Sequence, residues 1–274
     1  MKDTMASSTS KRAVVIAVTN QKGGAGKTTV TINLGTALGM LGNKVLIIDV
    51  DKQINMTSGL IKETEHLSKK NIGIVLDAVL EDQKINIKRY ITHLSYLDII
   101  AGNRLLYTYK NEFEERADRN TVYKNLIEPV INIYDYILFD CPPDASVENV
   151  KAYTAASKIL IVSEPTKFSV DGIIDAVEIA QYTKKSTNKE LDILGIVINK
   201  YNKVMKAHNE FLEIIYNEYG KYINVFNSVI PQRAAIEKAA NKCKSVLQHR
   251  SNDDSSKAFI QLAKEIVSEV HCNG

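Results

Sequence analysis

The sequence contains no tryptophan, only five prolines and only three cysteines in 274 residues. The scattered Cys141, Cys243 and Cys272 exclude a disulfide scaffold and a paired-cysteine metal motif. The longest uninterrupted apolar run, residues 13–18, is far shorter than the roughly 18–20 residues of a membrane-spanning helix. The net charge is only +3, so overall charge does not indicate a nucleic-acid partner. These absences leave a reduced globular protein, for which we expect a cytoplasmic location.

Short runs rich in Val, Ile and Leu alternate with amphipathic stretches, a pattern typical of a parallel sheet with helices on both faces. The pattern predicts strands at residues 13–18, 44–48, 97–101, 136–139, 159–162, 193–198 and 223–229. It predicts helices at residues 28–41, 74–80, 119–133, 170–184, 205–218 and 256–270. We therefore expect a single doubly wound, mostly parallel α/β domain at residues 13–272, after a flexible tail at residues 1–12. Residues 59–120 are the least regular, and we expect short helices there.

A glycine-rich segment, residues 20–29 (NQKGGAGKTT), follows the first predicted strand and begins the first predicted helix. Glycines let backbone N–H groups approach phosphate oxygens, and a helix N-terminus favours negative charge. In this setting Lys27 is predicted to bind the β- and γ-phosphates and the Thr28 hydroxyl to ligate Mg²⁺. The segment therefore predicts a P-loop. Its predicted nucleotide contacts are Lys22, Gly23, Gly24, Ala25, Gly26, Lys27, Thr28 and Thr29.

The segment departs from the standard P-loop pattern at its start, where Gln21 replaces the first glycine and Lys22 adds a second cation. Two lysines of one loop cannot easily reach the same γ-phosphate, so we expect Lys22 to point toward the nucleotide of a second subunit. The pattern KGGxGKTT resembles the deviant Walker A motif of the ParA/MinD branch of P-loop ATPases, on the ParA (Soj) side. That resemblance implies a homodimer that closes around two ATP molecules, with Lys22 and Lys27 acting in catalysis.

Two further predicted strands end in carboxylates. Asp49 and Asp51 share one side of an extended backbone, and Asp140 follows the strand at residues 136–139. Because the carboxyl ends of parallel strands meet at one edge, we expect all three to face the phosphates, with Asp140 holding Mg²⁺ through water. The resemblance to the family's DxDPQ motif implies that Asp51 is catalytic and that Asp49 lies on the Mg²⁺ side, with Lys52 replacing the usual proline. An ordinary strand-end turn is the alternative for the aspartate pair.

The resemblance also implies that Asn199 and Pro231 lie beside the adenine, with ordinary strand exits as the alternative. Residues 195–250 carry nine Lys and Arg against four Glu, a larger positive excess than that of the whole chain. A cationic surface of this kind can bind phosphates without reading sequence, and solvated lysines on an exposed face are the alternative. ParA-like proteins bind DNA nonspecifically as ATP dimers through this region. The implied DNA contacts are Lys200, Lys203, Lys206, Arg233, Lys238 and Lys242.

The resemblance implies a partition ATPase that uses ATP and Mg²⁺, binds double-stranded DNA at the nucleoid, and hydrolyses ATP slowly until a ParB-like centromere-binding protein stimulates it. One alternative is a MinD-like membrane-cycling ATPase, which needs a basic amphipathic tail. The predicted helix at residues 256–270 balances its lysines with glutamates instead, so we expect no membrane partner. Another alternative, an iron–sulfur carrier, needs cysteines with a spacing that Cys243 and Cys272 lack.

Overall fold

A computed structural model describes residues 12–62, 69–108, 116–143 and 146–272. The strands in these ranges are β1 (Val14–Thr19), β2 (Val45–Asp49), β3 (Ile91–His93), β4 (Asp98–Ile100), β5 (Tyr136–Asp140), β6 (Lys158–Ser163) and β7 (Asp192–Ile198). They form one seven-stranded sheet in the order β3-β4-β2-β5-β1-β6-β7. All neighbours pair in parallel except β3 with β4. The predicted fold class, a single mostly parallel α/β domain, is confirmed.

The helices in the described part of the chain are α1 (Lys27–Met40), α2 (Asn55–Ser58), α3 (Ile72–Leu80), α4 (Val122–Ile127), α5 (Val147–Ala155), α6 (Lys167–Ser186), α7 (Lys206–Ile214), α8 (Ala234–Ala240), α9 (Val246–His249) and α10 (Asp254–Cys272). Short 3₁₀ turns lie at Ile87–Tyr90 and Arg104–Tyr107, and a π turn at Ile215–Tyr219 extends α7. In the ranges that the structure describes, no helix combines the length and apolar character that crossing a bilayer requires.

The core lies on both faces of the sheet. Alternate residues of β1 belong to opposite cores, with Val15 and Ala17 on one face and Ile16 and Val18 on the other. The first face is covered by α3, α4, α5 and α6, and the second by α1, α8, α9 and α10. Because both faces are buried, a strand such as β1 is a continuous apolar run rather than an alternating one. The loops at the carboxyl edge of the sheet are therefore left to form a site.

Two predicted elements are wrong. The strand expected at residues 223–229 contributes only an isolated parallel bridge between Ile196 and Val225. The helix expected at residues 119–133 is limited to α4, because Pro129 has no N–H group with which to continue the helical hydrogen bonds. The antiparallel edge strand β3 was not predicted, since three residues are too few to carry a periodic pattern.

The irregular region at residues 59–120 contains α3 and both 3₁₀ turns, as expected. Residues 63–68 and 109–115 within it lie outside the described residues. Of the predicted tail, residues 1–11 lie outside as well. Arg12 is described, and its guanidinium lies 2.8 Å from the carboxylate of Glu128.

Candidate nucleotide site

The P-loop joins β1 to α1 at the carboxyl edge of the sheet. Gly24 and Gly26 have φ angles of +84° and +89°, a region that residues with a Cβ rarely adopt. A Cβ at Gly26 would also collide with the side chain of Asn199. Because Gly26 precedes α1 and has no side chain to cap it, the first N–H groups of α1 remain available as donors at the loop. These donors suit an anion such as a phosphate group.

The loop borders a cavity of about 520 Å³, a size typical of small-molecule sites. Lys27, whose residue surface is only 6% exposed, lies at this cavity and donates from Nζ to the carbonyl of Lys22 at 3.2 Å. Further residues around the cavity include Thr28, Asp51, Pro143, Lys200, Asn241 and Lys244. A buried ammonium beside a glycine-rich loop is the arrangement that a P-loop needs.

Asp140, at the end of β5, holds the threonines of α1. Its Oδ2 accepts a hydrogen bond from the Thr28 hydroxyl at 2.8 Å, and its Oδ1 accepts one from the Thr31 hydroxyl at 3.1 Å. Burial raises the pKa of the Asp140 carboxyl, and the negative charge of Asp49 raises it further. A hydroxyl and a carboxylate in contact supply the oxygen ligands that Mg²⁺ prefers, so the donor set at Thr28 and Asp140 fits that cation.

Asp49 is the neighbour of Asp140 in the sheet register, yet its oxygens are bound elsewhere. Its Oδ2 accepts from the Thr57 N–H and hydroxyl at 2.9 and 2.6 Å, and its Oδ1 accepts from the Asp51 N–H at 3.2 Å. The Thr57 hydroxyl accepts in turn from the Gly102 N–H at 2.8 Å. Burial raises the pKa of the Asp49 carboxyl. The described residues that line the cavity include Asp51 but not Asp49, whose role on the Mg²⁺ side stays a prediction.

Asp51 does line the cavity. It is 5% exposed, and its Oδ1 accepts from the Gln53 N–H at 2.9 Å while its carbonyl accepts from the Ile54 N–H at 2.9 Å. Ile54 has a φ of +50°, so the chain turns sharply after β2. Lys52, in place of the proline usual in the motif, lies exposed in this turn. Asp51 is therefore fixed by the backbone of its own loop and faces the space beside Lys27.

The second lysine of the loop, Lys22, is not among the described residues that line the cavity. Its Nζ is 3.6 Å from Oε2 of Glu164 and donates to the Thr166 hydroxyl at 3.3 Å. The Nζ of Lys200 is 2.8 Å from Oε1 of Glu164 and donates to the Gly24 carbonyl at 2.5 Å. Sequence reasoning missed Glu164, although its signal was present as a carboxylate shortly after the strand predicted at residues 159–162.

Asn199 and Pro231 come from two segments that lie side by side. Asn199 is buried, and its Nδ2 donates to the Ala25 carbonyl at 2.9 Å. Its Oδ1 is also buried and has no hydrogen-bond partner among the described residues. Tyr201 and Pro231 form an isolated parallel bridge, which joins the two segments. A buried acceptor with spare capacity suits a donor such as an exocyclic amino group.

Comparison with known proteins agrees with this geometry. A family model described as an AAA domain (AAA_31) matches residues 13–193. The chromosome partitioning protein ParA of Caulobacter vibrioides is 31% identical over 257 residues, which cover 93% of this chain and 94% of the relative. The chain belongs to the ParA family of P-loop ATPases. This confirms the family that the motifs predicted, and nucleotide hydrolysis is the general activity of that family.

Solved structures share the fold at lower identity. Cobyrinic acid a,c-diamide synthase from Mycobacterium smegmatis, solved with a bound ATP analog and magnesium, superposes with a TM-score of 0.80 and 21% identity over 96% of this chain and 97% of that one. The cell division ATPase MinD of Pyrococcus furiosus superposes with a TM-score of 0.72 and 24% identity over 93% of this chain and 99% of that one. These likenesses concern the fold alone.

Three of the six cations that the ParA resemblance implies for DNA have a carboxylate partner in the structure. The Nζ of Lys200 pairs with Glu164 beside the P-loop. Lys206 lies 3.7 Å from Glu210, and Arg233 lies 3.1 Å from Asp254. The role of all six cations at DNA stays a prediction.

A cationic cluster does form around the loop between α8 and α9. The pKa of His249 is lowered by desolvation and then by the positive charges of Lys242, Arg250, Lys244 and Lys238, which are near enough to act on it. The four cations are exposed. Lys244 also lines the nucleotide cavity, so the cluster adjoins the P-loop site. We call Lys238, Lys242, Lys244, His249 and Arg250 the cationic cluster below.

Proposed function

We propose that this chain is a DNA-partition ATPase in which ATP binding closes a homodimer, the dimer binds double-stranded DNA nonspecifically, and hydrolysis releases it. The observation that carries the proposal is the division of the two P-loop lysines. Lys27 lines the cavity, whereas Lys22 is not among the described residues that line it and pairs with Glu164 instead. One lysine can thus bind the nucleotide of its own subunit while the other serves the nucleotide of a second subunit.

The cavity supports ATP hydrolysis with defined roles for its residues. Lys27 and the first N–H groups of α1 bind the phosphates, and Thr28 and Asp140 would hold Mg²⁺, which neutralises phosphate charge when bound. Asp51 orients a water molecule for attack on the γ-phosphorus, and the bond from that phosphorus to the bridging oxygen of ADP breaks. Asn199 and the segment that contains Pro231 contact the adenine base.

Dimerisation is proposed to depend on the γ-phosphate. Lys22 would contact the phosphates of the second subunit, so that ATP, and not ADP, favours the closed pair. A shift of the closed dimer from 1:99 to 99:1 needs about 5.5 kcal/mol of differential binding. Two triphosphates, each bound by a lysine from the opposite subunit, are a physical source of that difference, because charge-assisted contacts are stronger than neutral ones.

The cationic cluster is the proposed DNA surface. A concentration of positive charge is sufficient to bind DNA phosphates without reading the base sequence. The cluster's continuity with the nucleotide cavity through Lys244 supports a coupling between nucleotide state and DNA binding. Release would follow hydrolysis, stimulated by a ParB-like centromere-binding partner, and the ATP form would be associated with the nucleoid.

Membrane cycling of the MinD kind has less support. The apolar stripe of α10 is occupied by core packing, since Phe259, Leu262 and Ile266 are fully buried against the second face of the sheet. A helix that uses its apolar face in the core cannot also place that face in a lipid interface without unfolding from the domain.

The proposal is tested by an electrophoretic mobility shift on duplex DNA of arbitrary sequence with no nucleotide, with ADP and with a non-hydrolysable ATP analogue, each with Mg²⁺. We expect retention only with the ATP analogue, and we expect Lys27→Ala to abolish it. Sedimentation velocity under the same conditions should show a dimer only in the retained sample. Equal retention in all three states, or a monomer at every protein concentration with the analogue, would contradict the proposal.

A further inference from the structure

Glu164 contacts two lysines of the nucleotide site with one carboxylate. Each oxygen takes one cation, with Lys22 at 3.6 Å from Oε2 and Lys200 at 2.8 Å from Oε1. The Glu164 side chain is only 16% exposed, so water screens these contacts less than it screens a surface ion pair. Thr166 adds a neutral acceptor for Lys22 at 3.3 Å. The carboxylate therefore fixes where both ammonium groups lie.

Glu164 is itself held firmly at the end of β6. Its carbonyl accepts from the Thr166 N–H at 2.8 Å and from the Ser163 hydroxyl at 3.2 Å. The backbone of Lys22 is fixed to the same strand, because Asn20 accepts from the Lys22 N–H at 2.6 Å and donates to the Val162 carbonyl at 2.7 Å. With both backbones anchored, a change in the position of the Lys22 ammonium requires a side-chain rotation and not a movement of the loop.

A triphosphate in the cavity would compete with Glu164 for the same cations. Lys200 lines the cavity and contacts Glu164, so this lysine cannot turn toward phosphate oxygens without weakening its pairing. Glu164 also places a negative charge beside a site that must accept several more, and like charges at this range repel. The carboxylate thus favours the arrangement in which both lysines remain on their own subunit.

We propose that Glu164 is a positioning residue that holds Lys22 and Lys200 against the P-loop of their own subunit until Lys22 is transferred to the phosphates of a second subunit. The inference rests on the proposed function, because it concerns the step at which the dimer closes. Glu164 makes closure of the dimer depend on the γ-phosphate. When the second subunit lacks that phosphate, its remaining contacts are too weak to replace the pairing of Lys22 with Glu164. Removing the carboxylate lowers the protein concentration at which the subunits form a dimer.

The first test measures the pairing of Glu164 in the full chain without nucleotide. Lysines are labelled with a limiting amount of an acetylating reagent, and the labelling rate of each is read by mass spectrometry in wild type and Glu164→Gln. We expect the rates at Lys22 and Lys200 to rise about threefold or more, which corresponds to the removal of a modest ion pair. The matched control is Glu128→Gln, which makes the same charge change at an exposed pair with Arg12 and should leave both rates unchanged.

A second variant protects the test against misfolding. Circular dichroism establishes whether Glu164→Gln folds, and Thr166→Val removes the hydroxyl that accepts from Lys22 while keeping the Glu164 carboxylate. We expect Thr166→Val to raise labelling at Lys22 and to leave Lys200 at the wild-type rate. Unchanged labelling of Lys22 in both folded variants overturns the inference.

The second test measures dimer formation by sedimentation velocity with Mg²⁺ and a non-hydrolysable ATP analogue. We expect Glu164→Gln to dimerise at a protein concentration about tenfold lower than wild type, because the pairing is lost in both subunits and each loss contributes about threefold. Faster labelling with an unchanged dimerisation threshold overturns the inference while the proposed function stands. Faster labelling with no dimer in any variant overturns the proposed function and leaves the Glu164 pairing supported.

Discussion

The nucleotide cavity and the cationic cluster meet at Lys244 but are built in opposite ways. At the cavity, Lys27 and Asp51 are almost wholly buried, as is Asp140, which accepts a hydrogen bond from the cavity residue Thr28, and hydrogen bonds with the backbone or with neighbouring side chains fix all three. In the cluster, the three lysines and the arginine are exposed on two short helices and the loop that joins them. Chemistry at a phosphorus atom needs atoms at set positions, whereas binding a DNA backbone needs mainly charge density. The two regions should therefore respond differently to conservative substitutions.

The strongest test of that difference is at Lys27. We expect Lys27→Ala and the charge-conserving Lys27→Arg both to weaken ATP binding by more than about 100-fold, because a bulky guanidinium does not fit a buried position shaped for an ammonium. Titration with a fluorescent ATP analogue measures the affinity. Near-normal ATP binding by Lys27→Arg would show that positive charge alone is sufficient in the cavity. The cavity and the cationic cluster would then not differ in this respect.

Asp51→Asn should lower the steady-state rate of ATP hydrolysis by about 10²–10⁴-fold, the usual contribution of a residue that orients and activates water. ATP-dependent dimers should persist, since Asp51 acts after binding. Phosphate release and sedimentation velocity measure the two properties. The matched control is Asp192→Asn at the amino end of β7, on the opposite edge of the sheet, and a drop in turnover there would deny Asp51 a specific role.

Asp140→Asn should stabilise the protein without nucleotide or Mg²⁺ by about 1–3 kcal/mol at pH 8, because it removes a buried carboxylate beside Asp49. The folded-state pKa of Asp140 is raised, so the folded protein binds more protons than the unfolded chain, and stability should fall as pH rises from about 4 to about 8. Urea unfolding across that range should show a shallower fall for Asp140→Asn. If the free energy of unfolding had the same pH dependence in both proteins, the raised pKa of Asp140 would be contradicted.

The cationic cluster should give the smallest effects per residue. Reversal at Lys238→Glu with Lys242→Glu should weaken DNA binding about tenfold or more and reduce the salt slope by about one for each phosphate that is no longer bound. The matched pair Lys238→Arg with Lys242→Arg keeps the charge and should bind within about twofold of wild type. Much weaker binding by the arginine pair would mean that this surface, like the cavity, depends on geometry. Fluorescence anisotropy at several salt concentrations measures both.

Local sequence was sufficient for the parts of the molecule that depend on neighbours in the chain. The strand–loop–helix of the P-loop and the acids at the carboxyl ends of β2 and β5 follow from short apolar runs and fixed spacing, and the parallel sheet brings them to one edge. Contacts between distant segments were beyond that reasoning. The pairing of Glu164 with Lys22 and Lys200 joins three separate loops, and no spacing encodes it.

The wrong strand prediction at residues 223–229 has a local cause as well. Asn224, Asn227 and Ser228 interrupt the apolar run at residues 223–229, and the Asn227 N–H and the Ser228 hydroxyl are bound by Glu265 of α10 instead of by a neighbouring strand. The segment is therefore held to the sheet at a single bridge. The apolar residues of this run predict a strand, but the Asn227 N–H and the Ser228 hydroxyl are bound by a helix that follows the run in the chain.

The hydroxyl of Thr57 has a consequence for the whole segment between residues 58 and 101. It donates to Asp49 and accepts from Gly102, so the segment that carries α3, β3 and β4 leaves and returns at one oxygen atom. A single substitution, Thr57→Val, therefore removes a hydrogen bond at each end of that segment at once and leaves the buried Asp49 carboxylate with one donor fewer.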